Sequence, residues 1–66
     1  MTPFEAQQEL VHIVLRVNTG GLTYSEGRAM AVPLLKIIND RGKEIAKKYG
    51  RSYRPQTFDY ALRLGV

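Results

Sequence analysis

The sequence contains no cysteine, no tryptophan, a single histidine and two phenylalanines. Without thiols there is no disulfide, no Cys-type zinc finger and no thiolate nucleophile, a composition that agrees with a reducing compartment. Long apolar runs are missing too. The longest, Leu10 to Val17, is interrupted by His12 and Arg16 and falls far short of the ~20 residues a membrane span needs. The N-terminal MTPFEAQQE lacks the cationic start and apolar segment of a secretory signal, so the expected location is cytoplasmic, with no membrane partner. Strand-like alternation and internal repeats are absent. Gly20-Gly21 lacks the following Lys-Ser/Thr that would make it a phosphate-cradling loop.

Residues for chemistry are equally sparse. His12 falls on a polar helical stripe with Gln8, Glu9 and Arg16, and one His beside one Glu is neither a metal site nor a catalytic triad. Asp40, Glu44 and Asp59 form no carboxylate pair that can be placed across a cleft. The expectation is a protein that is not an enzyme and has no cofactor, metal or small-molecule substrate.

What is present is a basic second half. From Met1 to Pro33, two cations stand against three acids, a net −1; from Leu34 to Val66, eight stand against three, a net +5. Such asymmetry points to an anionic partner, either nucleic acid or an acidic protein face. The length of 66 residues implies one small domain spanning 1–66. A core of that size supplies only about 3–5 kcal/mol, so a homodimer or a partner surface is a natural supplement.

The start and stop signals are those of helices. Thr2-Pro3-Phe4-Glu5 is a capping box with proline in the first turn, and Thr23-Tyr24-Ser25-Glu26 repeats the T-x-x-E pattern. Between them Asn18-Thr19-Gly20-Gly21 closes the first helix. That helix, Pro3 to Val17, carries apolar residues over an arc of about 200°, more than one neighbour covers, and is expected at the centre of the bundle. In the second, the apolar phase from Gly27 through Ala31, Leu34, Leu35, Ile38, Gly42, Ile45, Ala46 and Tyr49 is continuous. One long helix from Tyr24 to Tyr49 is expected, with a bend near Pro33 or Gly42 and a break there as the alternative. Phe58, Ala61 and Leu62 mark a short last helix, roughly Gln56 to Leu64. The fold class is all-α, a small three-helix bundle.

Ile45-Ala46 followed by Tyr49-Gly50 resembles the first helix and turn of a bacterial helix-turn-helix, within a stretch running from Lys43 to Leu64. The pattern departs at Arg51, where an apolar residue usually follows the glycine. Phe58 also comes eight residues after Gly50, where the compact motif has its anchor after about six. The resemblance implies that Ser52, Tyr53, Arg54, Gln56 and Thr57 face a groove, with Arg and Gln suited to bidentate contacts on base edges. A looser reading needs only phosphate contacts and stacking, by Lys43, Lys47, Lys48, Arg51, Arg54 and Arg63 with Tyr53 and Tyr60. Against both stands a solvated face whose charges are neutralised by i,i+4 pairs, Lys36 with Asp40 and Glu44 with Lys48. The expected function is nucleic-acid binding, DNA included, through Lys43, Lys47, Lys48, Arg51, Tyr53, Arg54, Gln56 and Arg63. The alternative is a protein-interaction module, an adaptor, inhibitor or homodimer, using the broad apolar face of the first helix or the basic face.

Overall fold

Both capping boxes form in the computed structural model, which describes residues 1–64. They open α1 (Pro3–Asn18) and α2 (Tyr24–Lys48); a third helix, α3, spans Phe58–Leu64. Thr2 Oγ1 accepts the Glu5 N–H at 3.1 Å while the Glu5 carboxylate accepts the Thr2 N–H at 3.1 Å. Thr23 and Glu26 make the same exchange at 3.2 Å in each direction. Each box satisfies two donors that a helix start leaves orphaned. The hydrogen bonds from the threonine backbone, and then from its hydroxyl, hold the Glu5 and Glu26 carboxyls below their ordinary value.

The two glycine stops are Schellman turns. Gly20 (φ 87°) and Gly50 (φ 66°) take the left-handed conformation that closes each helix. Gly20 and Gly21 donate to Val17 and Arg16, and Gly50 and Arg51 repeat the pattern onto Lys47 and Ala46.

The second helix runs unbroken through Pro33 and Gly42, as its continuous apolar phase implies and against the alternative of a break. Pro33 and Ala29, whose carbonyl the proline leaves without its i+4 donor, are both exposed, so the free carbonyl faces water. The ring therefore costs one hydrogen bond on the wet side and none inside.

The core combines Ala6, Leu10, Ile13 and Val14 of α1, Ala31, Leu34 and Leu35 of α2, and Phe58 and Ala61 of α3. As expected, α1 lies against both other helices. Its C-terminal residues Ile13 and Val17 meet Gly27 near the start of α2, which makes the two helices antiparallel. A Cβ on Gly27 would lie 2.4 Å from Val17 Cγ2 and 3.0 Å from Phe58 Cζ, so this close three-helix approach requires glycine. The Tyr24 ring packs on Phe58 with centroids 5.6 Å apart, and its hydroxyl donates to Asp59, tying α3 to the first turn of α2. That hydrogen bond raises the Tyr24 phenol above its ordinary value.

With 25 residues against 16, α2 outruns α1 at its C-terminal end. Tyr49, which the apolar phase places in the core, is consequently 67% exposed. A periodic apolar face is buried only as far as there is a neighbour to bury it.

Among the described residues no helix is long and apolar enough to cross a membrane.

Candidate nucleic-acid interface

The segment from Arg51 to Thr57 has no helical turn; it runs back along α2 in extended form. Asn39 on α2 holds it there. Its Oδ1 accepts the Gln56 N–H at 2.8 Å and the Tyr53 hydroxyl at 2.7 Å, and its Nδ2 donates to the Gln56 carbonyl at 3.0 Å. One amide side chain thereby satisfies three polar groups of the segment, two of them on its backbone. Tyr53 packs against Gly42, where a Cβ would fall within 2.3 Å of the ring. The glycine in mid-helix, which weakens a helix interior by ~1 kcal/mol, is the socket for this ring. Thr57 then caps α3, its Oγ1 accepting the Tyr60 N–H at 3.2 Å.

This arrangement corrects the groove-facing expectation. The helix after the turn begins at Phe58, two residues later than the expected Gln56, and Ser52, Tyr53, Arg54, Gln56 and Thr57 all precede it. No recognition helix carries them. The physical reason is the extra length after Gly50, which Asn39 and Gly42 take up by binding the chain in extended form. Tyr53 is half-buried with its phenol committed to Asn39, and Gln56 is held by its backbone. Arg54, between them, is exposed, and with Tyr60 it lines an open cleft of about 510 Å³. Of the two tyrosines considered for stacking, Tyr60 is the exposed one.

The lysines sort by helical position. Lys36, Lys43 and Lys47 recur at i, i+7 and i+11, on one solvent-exposed face of α2. Their rises along the axis are about 10 Å and about 6 Å. Lys43 follows Asn39 by one turn, so this face adjoins the flank that the extended segment covers. Lys48 projects to the other flank, where its ammonium lies 6.0 Å from the Tyr49 ring in a shallow cleft with Arg41, Glu44 and Ile45. Arg51 sits at the C-terminal cap of α2, beyond Lys47, with its N–H bound to Ala46. Arg63 belongs to α3, which Tyr24 anchors toward the opposite end of α2.

The expected neutralising pairs do not form. The single ion pair among the described residues joins Arg41 and Glu44 at 3.1 Å, both exposed. Glu44 is thus taken by a residue three positions before it rather than by Lys48, and Asp40 makes no ion pair with Lys36. Lys36, overlooked as a site residue, belongs with Lys43 and Lys47; the seven-residue spacing is the signal that marks it. Arg28 and Lys36 also line an open cleft of about 390 Å³ where α2 meets Gln56 to Asp59.

No protein-family model, curated protein or solved structure matches the chain.

Proposed function

We propose that the protein binds nucleic acid without reading its sequence, as a non-catalytic protein of the cytoplasm. Lys36, Lys43 and Lys47 of α2, with Arg51 and Arg54 of the adjoining segment, contact phosphates, and Tyr60 offers an exposed ring for stacking on a single strand. The observation that carries this reading is the α2 face on which three lysines stand in register with no carboxylate within ion-pair distance among the described residues. A sequence-specific mode finds no support in the fold. The segment after Gly50 is pinned by Asn39, and α3 buries Phe58 and Ala61 in the core.

Fluorescence anisotropy of labelled duplex DNA and single-stranded RNA across a salt series tests the proposal. Five engaged cations on duplex give a slope of log K against log[salt] of about −4.5, near −0.9 per phosphate. The triple variant K36A/K43A/K47A removes most of that slope and leaves helical circular dichroism unchanged. No binding at about 50 mM salt, where electrostatic contacts are strong, or full binding by the triple variant, overturns it.

A further inference from the structure

The first helix has a second apolar edge that its own fold leaves uncovered. Phe4 is 71% exposed and Leu15 49% exposed, with Val11 half-buried between them. With exposed Gln8 they recur at i, i+4, i+7 and i+11, the alternating four-and-three spacing of a helix–helix seam. This edge is rotated well away from the row of Ala6, Leu10, Ile13 and Val17 that faces α2. Beside it runs an exposed polar flank in a particular order: the acids Glu5 and Glu9 in the N-terminal half, the imidazole of His12 and the cation Arg16 in the C-terminal half. The other flank is uncharged, with Gln7 and Asn18.

We infer that α1 is the interface of a symmetric antiparallel dimer of this chain. Under a two-fold axis across the helix, Phe4 of one copy meets Leu15 of the other and Gln8 meets Val11, so the same edge serves both subunits. The charged flank then lies beside itself in reverse. Each Glu5 falls between His12 and Arg16 of the other copy, and the acidic half of one helix opposes the basic half of its mate. A parallel two-fold pair would set the charged flank of each copy beside the uncharged flank of the other, Gln7 and Asn18, and gain no such attraction. The charge order therefore selects both the occupant and its direction: a second α1, running the opposite way. Antiparallel helix dipoles favour the same choice.

Sedimentation equilibrium of the intact chain tests this, with the concentration raised into the high micromolar range. The expected result is a concentration-dependent rise from 7.5 kDa toward twice that mass. Leu15→Glu, at an exposed position that does not enter the core, restores the monomer mass with helical content unchanged. Direction is read by disulfide trapping, which the absence of native cysteine makes clean. An equimolar mixture of Phe4→Cys and Leu15→Cys chains yields the mixed disulfide in excess over both self-disulfides. A monomer at every concentration overturns the inference, as does a dimer indifferent to Leu15→Glu. A dominance of self-disulfides overturns the antiparallel direction.

Discussion

In the first half of α2, Gly27, Ala31, Leu34 and Leu35 are buried where it meets α1 and α3, whereas from Asn39 onward the same helix has the extended segment for cover. The first region is held by apolar burial and a close approach at Gly27. The second is held by three hydrogen bonds to Asn39 and one ring on Gly42. Apolar contact is non-directional and stabilises in proportion to area, while the polar clamp adds little net free energy and fixes the path of the chain. Lys43 and Lys47 of the proposed interface stand on the thinly covered region, and Lys36 at its edge. There a wet surface costs the core nothing, and α2 projects past α1 into solvent.

Breaking the apolar region gives the largest effect. Leu10→Ala leaves a cavity in the middle of the core at a cost of about 2–5 kcal/mol, comparable with the whole stability expected of a domain this small. Urea unfolding should show most of the chain unfolded in buffer; a cooperative transition with an unchanged midpoint would mean that the core does not carry the fold.

Breaking the clamp is milder and local. Asn39→Ala leaves the Tyr53 hydroxyl and the Gln56 amide without their acceptor, for about 1–2 kcal/mol. Hydrogen exchange should quicken at the Gln56 amide while the amides of Leu10 and Val14 stay protected. If both regions lose protection equally, the clamp is part of the core and the contrast between the two regions fails.

A charge change on the lysine face sharpens the same contrast by leaving stability alone. Lys47→Ala should reduce the salt slope of nucleic-acid binding by about 0.9, with no shift in melting temperature. Loss of stability without loss of slope would assign Lys47 to the fold.

The smallest effect is acidic. Because Glu5 and Glu26 have folded-state pKa values below their ordinary value of 4.5, their contribution is complete above the unfolded value and is lost as pH falls through the folded one. Melting temperature should fall slightly more below pH 4.5 than in T2A/T23A, which lacks both caps. Identical acid profiles for the two proteins would exclude the capping boxes as the cause.

Much of this fold is legible along the chain because its signals are local. A T-x-x-E box acts over three residues, a left-handed glycine over two, and an apolar phase over a turn, so Thr2, Thr23, Gly20 and Gly50 mark the bounds of α1 and α2 with no knowledge of neighbours. The candidate site was less legible. Lys43 and Lys47 are plain from charge, but Tyr53 and Gln56 look like binding residues until Asn39, more than a dozen positions away, claims them. Lys48 reads as part of the same basic run as Lys47 until the helix turns it to the other flank.

From its own sequence, then, this protein has its helical class, the starts and stops of its two long helices, and the concentration of positive charge in its second half. Only the tertiary structure decided that Pro33 interrupts nothing, that Gly42 is a socket for Tyr53, and that Tyr49 and Phe4 remain uncovered. Each of those depends on which surface a neighbour reaches, and neighbours are set by distant chain segments meeting in space.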